Sequence, residues 1–176
     1  MGKKYEGLRR VKTGVYPNLK CGFIDENNIL VIPLIYSNVR DFHEGLAAVR
    51  IGNWASNKWG FIKMNGDLVI PILFENPRAF SDGYPKVILN NEWIFINKKG
   101  DKVISLKDYD GGSNFHKGFA IVYKVNESSK ESVYGIIDKT GTEVIPCIVK
   151  SYFCCSTLEK SVKQYMKRFN LKDTIS

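Results

Sequence analysis

Apolar residues along the 176-residue chain fall in short runs separated by polar turns, and the runs recur in register. Four segments align without gaps: Cys21-Gly22-Phe23-Ile24, Trp59-Gly60-Phe61-Ile62, Trp93-Ile94-Phe95-Ile96 and Tyr134-Gly135-Ile136-Ile137. With the second residue of each as zero, position +2 is Ile in all four. Positions +9 and +10 are Val-Ile in all four (Val31-Ile32, Val69-Ile70, Val103-Ile104, Val144-Ile145). Position +11 is Pro33, Pro71 and Pro146, with Ser105 as the exception. Position +6 is Gly66, Gly100 and Gly141, with Asn28 as the exception. Asn is the residue that best tolerates the positive φ usually left to Gly, so that exception points to the same backbone demand.

A second block follows the first three segments: Phe42-His43-Glu44-Gly45-Leu46-Ala47-Ala48-Val49, Phe80-Ser81-Asp82-Gly83-Tyr84-Pro85-Lys86-Val87 and Phe115-His116-Lys117-Gly118-Phe119-Ala120-Ile121-Val122. Near the N-terminus, Glu6-Gly7-Leu8-Arg9-Arg10-Val11 resembles this block without its Phe. Two β-branched or aromatic runs around a polar turn that ends in Gly predict a β-hairpin, and Phe-x-x-Gly predicts a turn into a third strand. Proline at +11 cannot donate to a ladder, so it ends the second strand or lies at an edge. One such piece cannot bury its apolar face alone, so neighbouring units must pack on it.

The run Lys58-Trp59-Gly60-Phe61-Ile62, the turn Lys139-Thr140-Gly141 before Val144-Ile145-Pro146, and the Phe-x-x-Gly block resemble the bacterial WG repeat, also called the KWG repeat. The resemblance covers about residues 5–149. Cys21 and Tyr134 stand in place of its Trp, Ile94 in place of its Gly and Ser105 in place of its Pro. It implies a β-repeat interaction scaffold and carries over no catalytic site.

The expected architecture is all-β: three to four antiparallel repeat units in a curved or propeller-like array, followed by a short C-terminal α-helix. The repeat domain spans residues 1–155, with units near 5–20, 21–57, 58–91, 92–132 and 133–150. Residues 156–172 form the helix. There Leu158, Val162, Tyr165, Met166 and Phe169 recur at helical spacing, and Ser156 with Glu159 forms a capping box. Such a helix suits the cap of a repeat array.

Charge changes this picture at the ends. The formal net charge is +8. Residues 1–20 carry six bases and one acid, and residues 150–176 carry six bases and two acids. The middle is close to neutral, with 14 bases and 15 acids. Basic ends favour an acidic protein surface or nucleic acid. Arg9 and Arg10, with Lys163, Lys167 and Arg168 of the helix, are the expected basic partner-binding residues. Trp54, in Gly52-Asn53-Trp54-Ala55-Ser56-Asn57, is not explained by the repeat and is a second candidate anchor.

Candidate chemistry is sparse. His43 and His116 share one turn position, and Cys21, Cys147, Cys154 and Cys155 lack metal-ligand spacing. Gly111-Gly112-Ser113-Asn114 has no following Lys-Ser/Thr of a phosphate loop. The chain is therefore expected to be non-enzymatic, without cofactor or metal, cytoplasmic and not membrane-bound. Its expected role is a protein-binding module for a partner with an acidic or nucleic-acid-binding surface. One form of that role is an inhibitor of a nucleic-acid-handling enzyme, of the kind phages and mobile elements encode. The alternative is direct nucleic-acid binding through the basic N- and C-terminal segments. The turn assignment is testable: Gly66→Val should destabilise by about 1–3 kcal/mol, read as a lowered Tm, and an unchanged Tm would count against it.

Overall fold

The computed structural model describes residues 6–15, 17–52 and 57–150, together with Lys160, Gln164 and Lys167. Within them lie fourteen strands in four sheets whose strand order follows the sequence. The first sheet holds β1 (Arg9–Thr13), β2 (Lys20–Ile24) and β3 (Leu30–Tyr36). The second holds β4 (Asn38–Val39), β5 (Leu46–Arg50), β6 (Trp59–Lys63) and β7 (Leu68–Phe74). The third holds β8 (Lys86–Leu89), β9 (Glu92–Ile96) and β10 (Lys102–Ser105). The fourth holds β11 (Gly111–Gly112), β12 (Phe119–Val125), β13 (Ser132–Asp138) and β14 (Glu143–Val149). The chain divides into two compact units, residues 1–102 and 103–176.

The sheets are offset from the sequence repeat. A hairpin pairs with the strand that precedes it, not with the one that follows, so the three-stranded piece read from the sequence is assembled from two successive repeats. Val11 lies opposite Gly22, Val49 opposite Gly60, Val87 opposite Ile94 and Val122 opposite Gly135, one register in all four sheets. The fragment after Glu6-Gly7 thus supplies β1, the first strand of the first sheet. The reason is the short link. After β3, Ser37 N–H bonds Arg50 O at 2.8 Å and Arg40 N–H bonds Ala48 O at 2.9 Å, so the chain already lies along the next sheet before the Phe-x-x-Gly turn.

The repeated turn behaves as its composition requires. Asn28, Gly66, Gly100 and Gly141 have φ of 63°, 91°, 91° and 85°. In each hairpin the residue at +6 donates its N–H to the carbonyl at +3, closing a tight turn followed by one left-handed residue. Asp25, Asn97 and Asp138 at +3 also accept N–H bonds from inside their own loops at 2.8–3.1 Å.

Position zero has a different cause. Between Phe23↔Ile32 and Cys21↔Tyr36, two steps on β2 face four on β3, and the same mismatch recurs in β6/β7 and β13/β14. A Cβ on Gly60 would collide with the Ile70 carbonyl oxygen, and one on Gly135 would lie 2.8 Å from Cys147 Cα. Pro33, Pro71 and Pro146 stand in this bulge, where no ladder N–H is needed. In the third repeat Gly and Pro are lost together, to Ile94 and Ser105, and β10 has 4 residues where β3, β7 and β14 have 7.

In unit 1 the sheets stack face to face. Cys21, Phe23, Ile32 and Tyr36 of the first sheet pack on Ala47, Val49 and Ile62 of the second. The opposite face of the second sheet, with Leu46, Ala48, Trp59 and Phe61, packs on Val87, Ile94 and Ile96 of the third. Both faces of β5 are therefore buried, which is why its five residues are all shielded. Each linker Phe closes the stack: Phe42 meets Phe23 at 4.8 Å between ring centroids, and Phe80 meets Phe61 at 5.2 Å.

A polar ladder runs along the same stack. In each Phe-x-x-Gly turn, two successive residues are left-handed: Glu44 and Gly45 (52°, 82°), Asp82 and Gly83 (54°, 88°), Lys117 and Gly118 (51°, 87°). That is the geometry of a two-residue hairpin turn, and its successive N–H groups form an anion-binding concavity. The Glu6 carboxylate accepts the N–H groups of Glu44 at 2.7 Å and Gly45 at 2.8 Å. The Glu44 carboxylate in turn accepts the Gly83 N–H at 3.0 and 3.2 Å.

In unit 2 the fourth sheet carries its own core of Phe119, Ile121, Ile136 and Ile145. Tyr109 donates its hydroxyl to Glu143 at 2.8 Å. Most of the expected C-terminal helix lies outside the described residues; Lys160, Gln164 and Lys167 are helical and exposed. The ladder predicts that Glu44→Ala costs about 1–3 kcal/mol in a urea titration. The exposed Glu26→Ala, with no side-chain partner among the described residues, should stay within about 0.5 kcal/mol.

Candidate functional site

The residue two before each linker Phe is Arg40 in one repeat and Arg78 in the next. Both are fixed by backbone: Arg40 N–H bonds Ala48 O at 2.9 Å and Arg78 N–H bonds Lys86 O at 2.8 Å. Lys86 and Arg10 share one register position on their strands, opposite Phe95 and Phe23. The repeat thereby delivers bases to one edge of unit 1.

Trp59 is buried, and two guanidinium groups flank its ring, Arg40 at 5.3 Å and Arg50 at 5.4 Å from the centroid. Arg50 lies directly across the ladder from Trp59 and is 3% exposed. Its Nε donates to Ser37 Oγ at 3.4 Å. Lys86, 6% exposed, sets its ammonium 4.7 Å from the Trp93 ring centroid. Arg10 Nε pairs with Asp41 at 2.5 Å, and Arg10 Nη1 donates to Val39 O at 3.5 Å.

The electrostatics are those of like charges brought together out of water. Burial, then the charges of Arg78 and Arg10, hold the Arg40 guanidinium below its usual range. Burial, then Arg78, push Lys86 down from 10.5 to about 8. Arg40 Nε is buried without a hydrogen-bond partner among the described residues. Arg78 is exposed at the edge, and among the described residues its side chain has neither an ion pair nor a hydrogen bond. Buried cations normally find acids. The charges that act on Arg40 are those of Arg78 and Arg10, and Arg10 also pairs with Asp41.

Of the residues expected from the sequence, Arg10 belongs to this cluster. Arg9, next to it on the strand, points away and donates to Asn28 Oδ1 at 2.5 Å. Lys167 is helical and exposed, while Trp54, Lys163 and Arg168 lie outside the described residues. Sequence reasoning passed over Arg40, Arg78 and Lys86 because their segment is neutral overall. The signal that could have found them is the same base at the same repeat position twice. His43 and His116 are exposed beside their turns. Among the described residues no three His, Cys, Asp or Glu side chains form a metal-binding group, and no helix is long and apolar enough to cross a membrane.

A sequence-family model described as the WG containing repeat matches residues 22–53, 59–93, 95–126 and 134–153, more than half of the chain. The chain belongs to the WG-containing repeat family. No curated protein matches the sequence. The two residues behind the family's name have separate tasks in this fold. Gly60 admits the bulge of β7, and Trp59 seats two arginines. In the first WG repeat Cys21 occupies the Trp position. That smaller side chain lines an open depression of about 410 Å³ together with Arg10, Lys12, Leu19, Asn38 and Val39. Burial raises the Cys21 thiol above its ordinary range.

The Lys86 environment makes a signed prediction. The folded chain releases the Lys86 proton near pH 8, the unfolded chain near 10.5. Below pH 8 both forms are charged and the cost of burying the charge is fully present. Between these values unfolding takes up a proton, so this residue makes stability rise with pH, by up to about 3 kcal/mol. The stability difference between wild type and Lys86→Met, from urea titrations at about pH 7 and about pH 10, should shift toward wild type at the higher pH.

Proposed function

We propose that this chain is a non-enzymatic binding module that docks an acidic protein surface through the cationic edge of unit 1. The observation that carries this reading is the row of Arg10, Arg40, Arg78 and Lys86 placed by backbone pairing along the first strands of successive sheets, where Arg40 is depressed by burial and then by the charges of Arg78 and Arg10. Aromatic rings behind the bases support it: Trp59 and Trp93 hold flexible cations in place, which reduces the entropy lost on binding. Where the partner itself handles nucleic acid, docking here would cover its working surface, which is the inhibitor form of the reading. A cytoplasmic setting fits the free thiols of Cys21 and Cys147.

A titration tests this against direct nucleic-acid binding. Poly-glutamate and a short DNA duplex serve as probes over a salt series, with Arg40→Glu/Arg78→Glu compared with Lys20→Glu/Lys107→Glu. Lys20 and Lys107 are exposed and outside the cluster, so both double variants change the net charge equally. The expected result is poly-glutamate binding that the cluster variant loses and the control keeps. Equal losses in both variants would reduce the effect to net charge. Preference for the duplex, with a log–log salt slope near −0.9 per phosphate contact, would favour nucleic acid instead.

A further inference from the structure

We propose, building on that reading, that the depression at Cys21 is a seat for an aromatic side chain of the docked partner, so that the acidic segment this module recognises is anchored by a tryptophan. Three features of unit 1 carry the inference.

The first is the repeat itself, which holds a filled copy of the seat. Trp59 in the second sheet and Cys21 in the first occupy the same register: Trp59 lies between Arg50 and Phe74 on its two ladders, Cys21 between Lys12 and Tyr36. Both side chains sit on the face that their sheet turns toward the next one. Between the second and third sheets the Trp59 ring fills the space and is itself buried. Between the first and second sheets a thiol stands where the indole would be, and a depression of about 410 Å³ is left open. That volume falls in the range of about 300–1,000 Å³ usual for pockets that bury a ligand.

The second is the lining. Leu19, Cys21 and Val39 give it an apolar part, and Leu19 packs on the cluster that holds the other two. Arg10 and Lys12 are two residues apart on β1, so they share the face that carries Phe23 and Cys21 opposite them. At the filled copy the base across the ladder is Arg50, whose guanidinium lies 5.4 Å from the Trp59 centroid. Lys12 stands in that place, exposed, and among the described residues its ammonium has no hydrogen bond or ion pair. A ring inserted here meets a cation as Trp59 does. A carboxylate alone would leave the apolar lining wet, and an aliphatic side chain would cover that lining without answering Lys12.

The third is charge around the seat. Arg10 belongs to the cationic row that draws an acidic surface, and it also lines the depression, so row and seat adjoin. Residues 1–20 carry six bases against one acid. An aromatic anchor in a pocket, ringed by complementary charge, is how protein interfaces concentrate their binding energy.

The probes are an acetylated and amidated pentapeptide with tryptophan between two pairs of glutamates, and the same peptide with leucine or alanine at its centre. Calorimetric titration of the full chain and the rise of Tm with peptide concentration are the readouts. The tryptophan peptide should bind roughly tenfold or more tightly than the alanine peptide, with the leucine peptide between them. Cys21→Trp puts the repeat's own side chain into the seat. It should abolish the preference for tryptophan and leave the charge-driven binding of all three peptides. Lys12→Glu should weaken the tryptophan peptide more than Lys20→Glu does, because Lys20 lies on the opposite face of the same strand pair. Should Cys21→Trp fail to melt cooperatively, the two surface charge variants carry the test. Equal binding of the three peptides, a tryptophan preference that survives in folded Cys21→Trp, or equal losses in the two charge variants would each overturn the seat. Self-association of the wild type that Cys21→Trp abolishes, without any peptide preference, would give the depression to a second copy and overturn the partner anchor. If the three peptides bind equally while Arg40→Glu/Arg78→Glu loses poly-glutamate, the docking function stands without the seat. If neither the peptides nor poly-glutamate bind, both fall.

Discussion

The fold rests on one constraint: a sheet this small cannot stand alone, and a neighbour can cover only one of its faces. The second sheet meets the requirement by setting Ala47, Val49 and Ile62 against the first sheet and Trp59, Phe61 and Leu46 against the third. An isolated antiparallel sheet usually keeps one polar face and alternates in sequence. These inner strands instead read as almost continuous apolar runs, Leu46-Ala47-Ala48-Val49 and Trp59-Gly60-Phe61-Ile62. The linker Phe, the carboxylate ladder and the two-residue turns then become ways of holding one stacked layer on the next. Glu6 and Glu44 do for the turns what Phe42 and Phe80 do for the core.

The Trp-Gly pair shows how one dipeptide meets two unrelated demands. Gly60 is needed because the outer strand bulges toward it and leaves no room for a Cβ. Pro71 is tolerated because the same bulge releases its position from the ladder. The two substitutions are physically coupled: a side chain at position zero closes the space into which the bulge would fold. The third repeat, with Ile94 and Ser105, loses both and has the shorter outer strand. Trp59 faces the other way, and its ring carries cations as well as packing area.

The sequence made the repeat and its backbone requirements legible, because identical residues at a fixed spacing report a local demand. Asn28 in a column of glycines announced a positive φ, and its φ is 63°. Strand pairing was less legible. Whether Leu46–Arg50 joins the hairpin before or after it depends on how the Ser37–Asp41 link runs, and no residue type encodes that. The cationic edge was hidden for a related reason. Summing charge along the chain drew attention to Arg9, Arg10 and the last residues, while Arg40, Arg78 and Lys86 are diluted by acids in the same stretch of sequence, such as Asp25 and Glu75. Glu75 pairs with Lys58 at 2.7 Å.

The energetic character of that edge bears on what it is for. Most buried lysines and arginines are tolerated because an acid or a carbonyl answers them, and removing the answer is what destabilises. At Arg40 the first cause of the shift is lost solvation and the next are two neighbours of the same sign, Arg78 and Arg10. The stacking of Arg40 on Trp59 and of Lys86 on Trp93 offsets part of this cost. It does not require a second arginine beside them: Arg78 could be Gln with no loss of core packing, since its side chain is exposed. Residues that oppose stability without serving the core are characteristic of binding sites, where function and stability trade against each other. The repeat supplies the scaffold that tolerates such an edge, because the second sheet beneath it is held from both sides.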